Sequence, residues 1–388
     1  MSDKLTHECG IALVRLLKPQ EYFYEKYGTN LYGFQKLFLL MEKQHNRGQD
    51  GAGIGALKLD VEVGKPFMFR ERSMEANALA TIFHEQLSRY DDMKADGVIH
   101  PEFPRTVKEH FEYSAEMLLG HLRYGTSGGY GTSSCHPYFR RSNWPAKNLL
   151  LAGNFNMTNM EALNEHMIGQ GQHPIFDTDT QSILESIGNR LDQEHDRIWD
   201  SLSGKKLKGR NLAQAVGDAL DPVEILLEAS KGWDGGYVIS GLIGNGDCFV
   251  MRDPSGIRPC FYFVNDEVAA FASERVALMS IFEKEENHIH EVQPGEVICI
   301  KAGGKVVSGQ LPELPAHKAC TFERIYFSRG NDPSIYAERK ALGAALKDPI
   351  IDAIGGDFDN SIFSYIPNTA ETAYYGLLEE LGHHQRQL

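Results

Sequence analysis

Positive charge is scarce in this sequence. Only 39 Lys and Arg stand against 53 Asp and Glu in 388 residues, a formal net charge of -14, which repels phosphate backbones and argues against nucleic acid as a partner. No run of about eighteen apolar residues occurs, so no helix is expected to span a bilayer. The opening segment Met1–Glu8, MSDKLTHE, lacks the basic start and apolar core of a secretory signal. A cytoplasmic protein with no membrane partner is expected. Cysteine is sparse too: Cys9, Cys135, Cys248, Cys260, Cys299 and Cys320 are scattered without CxxC spacing, a pattern of reduced thiols and not of a disulfide framework. Repeats and low-complexity tracts are absent. Gly51, Gly53 and Gly55 lead into a strand instead of a helix, so they form no dinucleotide fingerprint. His383-His384 has no further ligand group at metal-like spacing, and no metal is expected there.

The length and an ordinary 42% hydrophobic content allow two or three domains with a sizeable core. CGIALVRLL at Cys9–Leu17 reads as a buried strand. Thr29 and Asn30 can cap a helix carrying Leu31, Phe34, Leu37, Phe38 and Met41 at three-to-four spacing. NRGQDGAGIGALKL then turns through glycines into a second strand, and residues 65–117 read as helices and loops over the core. Strands are expected at Leu118–Tyr124 and Asn148–Gly153, a helix over Thr180–Leu191, a hairpin turning at Asn245-Gly246, and a further strand in DPSGIRPCFYF. Strands in hairpins with a few helices predict an α+β architecture with mostly antiparallel sheets. Three prolines between residues 309 and 319 suggest a linker, with residues 311–319 as its body. Beyond it, a helix over Ala337–Leu346, a strand in SIFSYIPNT and a helix over Glu371–Leu381 are too little for an independent core.

Cys9-Gly10 places a thiol beside a residue with no side chain. Alone, such a cysteine is more often a small buried hydrophobe. Its company changes that reading, because RGQDGAG at Arg47–Gly53, GHLRYGTSGG at Gly120–Gly129 and GNFNMTN at Gly153–Asn159 set polar groups at glycine-rich strand ends, where backbone approaches a ligand closely. Together with Gln44-His45, Thr178-Asp179-Thr180, Arg252-Asp253-Pro254, Gly256-Ile257-Arg258-Pro259 and Ala272-Ser273-Glu274, and in this order, the set resembles the class II, N-terminal-nucleophile glutamine amidotransferases, most closely the amidophosphoribosyltransferases of purine synthesis. The resemblance covers roughly residues 9–345.

The resemblance implies a four-layer αββα N-terminal nucleophile hydrolase domain over residues 9–310, preceded by a propeptide, residues 1–8. Residues 320–388 would be the incomplete start of an α/β phosphoribosyltransferase-like domain. Cys9 is the implied nucleophile, freed as the first residue so that its own α-amino group, titrating at about 7.7–8.0, serves as base; a peptide nitrogen has no such basicity. Asn154 and the backbone N–H of Phe155 would bind the tetrahedral oxyanion. Arg123 would hold the α-carboxylate of glutamine and Asp179 its α-ammonium group, with Tyr124 and Thr126 beside them in the substrate site. Arg47 would support the nucleophile's loop, with Gly48 and His121 as further supporting residues.

The chain departs from the family pattern where Asn154-Phe155 replaces Asn-Gly and Gly153 replaces a histidine. Gln181 replaces an acidic residue. Cys320 aligns with a cysteine that ligates an iron–sulfur cluster in some members, but its partner cysteines would lie past residue 388, so no cofactor is expected in this chain. A complete phosphoribosyltransferase domain would bind phosphoribosyl pyrophosphate with Mg2+, and its acidic pair is not in the sequence. The implied function is release of ammonia from glutamine for a phosphoribosyl acceptor, in a homo-oligomer, with phosphoribosyl transfer itself not expected from these residues alone. A catalytically silent glutamine-binding regulatory module and an amidotransferase domain serving another acceptor are the competing readings.

Overall fold

The computed structural model describes residues 9–124, 135–173, 179–204, 207–368 and 370–387. The strands of the first part are β1 (Gly10–Leu16), β2 (Gly51–Leu57), β3 (Met68–Ser73), β4 (Met117–Arg123), β5 (Tyr138–Arg140), β6 (Leu149–Met157), β7 (Gly235–Ile243), β8 (Asp247–Arg252), β9 (Phe261–Val264), β10 (Val268–Ala272), β11 (His290–Glu291), β12 (Glu296–Ile300) and β13 (Val306–Gln310). Its helices are α1 (Gln20–Tyr27), α2 (Tyr32–Lys43), α3 (Ala78–Ala95), α4 (Pro104–His110), α5 (Met160–Gly169), α6 (Asp179–Ser203), α7 (Gly209–Ala219), α8 (Pro222–Ala229) and α9 (Arg275–Phe282). The chain folds as two units, with the division between Ala319 and Cys320.

The strands of the first unit form a seven-stranded sheet, ordered β11-β9-β10-β1-β4-β2-β3, and a six-stranded sheet, ordered β13-β12-β8-β7-β6-β5. All their pairings are antiparallel. Period-two alternation makes the layers. Along β1, Ala12, Val14 and Leu16 pack under α2, α3 and α9, while Ile11 and Leu13 join Leu119 of β4, Leu150 of β6 and Val238 of β7 between the sheets. On the outer face of the second sheet, Leu149, Leu151 and Phe155 meet Ile183, Leu191, Val216 and Leu226 of α6, α7 and α8. The architecture is thus α+β, a four-layer αββα sandwich, as the resemblance implied.

Local chemistry explains where the elements differ from expectation. α2 starts at Tyr32, and its N-cap position, Leu31, makes no side-chain cap bond. Neither Thr29 nor Asn30 caps it: the Thr29 hydroxyl accepts from the Leu31 N–H at 3.1 Å, and buried Asn30 donates Nδ2 to the Pro101 carbonyl at 2.8 Å. β3 runs through a segment read as helices and loops, because on this edge strand only Met68 is buried and the sequence shows no apolar alternation. α6 extends to Ser203, and α7 and α8 were not among the expected elements. Asp221 caps α8, accepting from the N–H groups of Val223 and Glu224 at 3.0 and 3.2 Å. The hairpin between β7 and β8 turns through Gly244–Gly246, with Gly246 at a φ of 95° that suits glycine.

The second unit contains α10 (Pro333–Ala344), α11 (Lys347–Ala353) and α12 (Glu371–Gln387). Asp332 caps α10 through the N–H groups of Ser334 and Ile335 at 3.0 and 3.2 Å. The strand expected in SIFSYIPNT does not form: residues 361–366 have no regular structure, with Ile362 at 96% and Ile366 at 83% exposure. A strand needs a neighbour for its backbone N–H and C=O groups, and none is found among the described residues of this unit.

Candidate active site

Strand parity brings the predicted residues together. On β4, Met117 and Leu119 face the space between the sheets, so His121 and Arg123, two and four positions on from Leu119, face it too. Asn154 shares a face of β6 with Leu150 and Ala152, which line the same space. Cys9 precedes β1 with the parity of Ile11 and Leu13. Its backbone N–H donates to the Asn154 Oδ1 at 3.2 Å. With the carbonyl oxygen of a fully buried amide engaged by the nucleophile's own nitrogen, the donor end of Asn154 is Nδ2, the kind of group that an oxyanion requires.

The start of β1 is held by buried polar groups. Arg47 is fully buried, ion-paired through Nη1 to Oε1 of Glu274 at 2.8 Å, and donates Nε to the Cys9 carbonyl at 3.5 Å. Gln44 donates Nε2 to the carbonyls of Ile11 and Leu40 at 3.2 and 3.0 Å and accepts from the Glu274 N–H at 3.1 Å. The Ile11 N–H donates to the Ser273 hydroxyl at 3.1 Å. Gly48 lies where a Cβ would come within 2.7 Å of the Arg123 carbonyl, so its glycine is set by close approach. Gln44, Ser273 and Glu274 fall within the motifs recognised in the sequence, but their clamp on β1 was not foreseen.

Arg123 ends β4 and is 6% exposed; Tyr124 follows it at 36%. Asp179 opens α6, where burial pushes its carboxyl up to about 6 against the opposing pull of the N–H groups of Thr180 and Met157. Phe155 lies in extended strand paired with Tyr237, without positive φ, so this departure needs none of glycine's special conformations. Its N–H points to the same edge of β6 as those of Gly153 and Met157. Thr126, Thr178 and the segment Met1–Glu8 lie outside the described residues.

His121 is 1% exposed, and neither ring nitrogen has a partner of good hydrogen-bond geometry among the described residues. Burial, reinforced by Arg123, pushes it down to about 3; burial also lowers His136, whose ring centroid is 4.2 Å away. The unfolded chain protonates such imidazoles near 6.5 while the folded chain holds His121 neutral to about 3, so between those values the unfolded state carries more protons and stability falls as pH drops. His121 should add up to about 1.4 kcal/mol per pH unit to that slope. Urea unfolding at pH 5, 6 and 7 should show a shallower pH slope for His121→Leu than for the wild type; equal slopes would contradict the assignment.

An open cleft of about 840 Å3 beside β3, lined by residues including Arg70, Arg89, Glu112 and Arg141, contains none of these site residues. The convergence of side chains, and not cavity size, marks the site. No group of three or more His, Cys, Asp or Glu able to hold a metal is found among the described residues, and no helix among them is long and apolar enough to cross a membrane. Cys320 is half-buried and begins the second unit.

No family model matches the sequence. Amidophosphoribosyltransferase of Pasteurella multocida is 26% identical over 314 residues, covering 78% of this chain and 56% of that protein. The Escherichia coli enzyme of the same name is 25% identical over 365 residues, 91% of this chain and 61% of that protein. The chain is thus similar in sequence to amidophosphoribosyltransferases. It spans little more than half the length of the curated relatives it matches. The fold is also that of glutamine phosphoribosylpyrophosphate amidotransferase from B. subtilis, solved with ADP and GMP, at a TM-score of 0.63 and 20% identity over 96% of this chain and 64% of that one. A structure described as the allosteric regulatory enzyme of purine biosynthesis matches at 0.65 and 20%, with the same coverage. Amidophosphoribosyltransferases are class II, N-terminal-nucleophile amidotransferases, and the four-layer sandwich is in keeping with that class.

Proposed function

We propose that this chain hydrolyses the side-chain amide of glutamine through a thioester on Cys9. Removal of Met1–Glu8 converts the Cys9 nitrogen from an amide into an amine that accepts the thiol proton. The thiolate attacks the amide carbon, and the oxyanion accepts from the Asn154 Nδ2 and the Phe155 N–H. Collapse expels ammonia, which takes the proton; water then attacks the thioester, releasing glutamate and restoring the thiol. Arg123 pairs with the α-carboxylate of glutamine and Asp179 with its α-ammonium group, with Tyr124 and Thr126 completing the substrate site. The ammonia serves a phosphoribosyl acceptor, phosphoribosyl pyrophosphate, as the relationship to amidophosphoribosyltransferases suggests.

The observation that carries this reading is the contact of the Cys9 nitrogen with Asn154 at 3.2 Å, which sets the nucleophile's base and an oxyanion donor on one bond. The extended backbone at Phe155 supports an active site over a silent binding module. Intact mass before and after incubation with a diazo-ketone analogue of glutamine tests the reading. The expected result is a chain starting at Cys9 that gains one covalent adduct. A chain that keeps Met1–Glu8 and gains none would refute it.

Asp179 adds a pH signature. Its carboxylate must be charged to bind the ammonium group, and burial places its titration at about 6. The KM for glutamine should be flat above neutrality and climb toward roughly tenfold per unit below that value, while Asp179→Asn should show a raised, pH-independent KM over the same range. A wild-type KM that stays flat down to pH 5 would remove Asp179 from this role.

A further inference from the structure

We infer that His136 is the positioning residue that locks the oxyanion strand to the glutamine-binding end of α6, a role that rests on the glutaminase reading above. His136 lies two residues before β5 and is 7% exposed. Its Nδ1 lies 3.2 Å from the Gly153 N–H, and its Nε2 lies 2.8 Å from the Thr180 hydroxyl. A backbone N–H can only donate, so Nδ1 must accept. The proton of the neutral ring is then on Nε2 and is donated to Thr180. One ring thereby ties β6, one residue before Asn154, to α6, one residue after Asp179.

The same ring packs against two other groups of the site. It lies 4.2 Å, centroid to centroid, from His121, two residues before Arg123, and is stacked at 5.4 Å on Phe155. Each of the three elements it touches bears a residue assigned to oxyanion or substrate. The seat is built for it: a Cβ on Gly53 would come within 1.9 Å of the His136 carbonyl, so the backbone of His136 crosses β2 where only glycine fits. At Gly153 a Cβ would sit 2.4 Å from the Phe155 ring, which lets that ring lie back over the strand and meet His136. Gly153, Phe155 and His136 therefore form one interlocked unit. In it, His136 fixes the direction of the β6 edge on which the Phe155 N–H lies, and couples it to Asp179 through Thr180.

The test uses the full chain and two readouts, glutamine hydrolysis and the rate of covalent labelling by the diazo-ketone analogue. His136→Phe keeps a ring against Phe155 but loses both hydrogen bonds, and is expected to lower kcat/KM by about 30- to 100-fold, with kcat reduced and KM raised. His136→Gln restores an acceptor and a donor and should return kcat/KM to within about threefold of wild type. Thr180→Val removes the acceptor of the Nε2 bond together with the hydroxyl's own bond to the Asp179 carboxyl; it should raise the KM for glutamine by about tenfold and lower the thermal midpoint modestly, because the Nε2–H is left buried without an acceptor. It reads the coupling even if His136→Phe does not fold. A His136→Phe chain with wild-type kcat and KM overturns the inference, as does a Thr180→Val chain with wild-type KM, or a His136→Gln chain no better than His136→Phe. A wild type that neither labels nor hydrolyses glutamine overturns the glutaminase reading and this inference with it, whereas an active wild type with indifferent variants overturns this inference alone.

Discussion

Replacing Cys9 by alanine is expected to abolish glutamate release from glutamine, a loss of about 10^4-fold or more, as when other covalent nucleophiles are removed. No other described thiol of the first unit is placed to substitute. Cys135, the next in sequence, is fully buried, directs its Sγ at the Ala52 carbonyl at 3.3 Å, and is pushed up to about 11 by burial; a thiol so held is inert near neutral pH. Cys248, Cys260 and Cys299 are buried within the first unit. Cys9 is only partly buried and lies outside the hydrophobic clusters, so its alanine variant should unfold within about 0.5 kcal/mol of the wild type. Ammonia release measured beside a urea titration separates lost chemistry from lost fold. Activity above about one part in a hundred in Cys9→Ala would require another nucleophile.

The second large effect is on stability. Arg47 and Glu274 form an ion pair whose side chains are 0% and 4% exposed. Removing one partner takes from the other a buried counter-charge at 2.8 Å, and Arg47→Leu or Glu274→Leu is expected to cost about 3–5 kcal/mol. The double substitution should cost less than either single one, since a packed apolar pair leaves neither charge short of this partner. Activity should not recover with stability, because the Nε of Arg47 also reaches the Cys9 carbonyl. A double-mutant cycle in urea, read beside glutamine hydrolysis, checks both parts; additive losses in stability would show that the pair is not coupled.

Much of the fold is legible in the sequence because it follows from local patterns. β1 and β4 are short apolar runs, and α2 repeats its apolar residues at helical spacing. The turn at Gly246 is written in an Asn-Gly pair. β3 escapes because its edge position leaves Phe69, Arg70 and Arg72 half-exposed and Glu71 exposed, which erases the alternation. The strand expected around Ile362 shows the opposite failure: a strand-like pattern stays irregular where no neighbouring strand pairs with it. The motifs in order set Cys9 and Arg123 at strand ends and Asp179 at a helix start, where they are found, and Asn154 just past a strand expected to end at Gly153, which instead runs on to Met157. His136 was not legible, since it sits in no recognised motif and its significance arises from contacts with residues 17 and 44 positions away.

The way Cys9, His121, Arg123 and Asn154 share the parity of the residues between the sheets has a consequence for how this chain can change. A one-residue insertion or deletion in β1, β4 or β6 would send the side chains beyond it to the opposite face, among the helices. The same slip would expel Ile11, Leu119 or Leu150 from the interior, so loss of the site and loss of the core would be a single event. Length can vary only where parity is reset, in the connections. The long charged stretch bearing α3 and α4, between β3 and β4, is such a place: there residues can accumulate while the two strands stay in step.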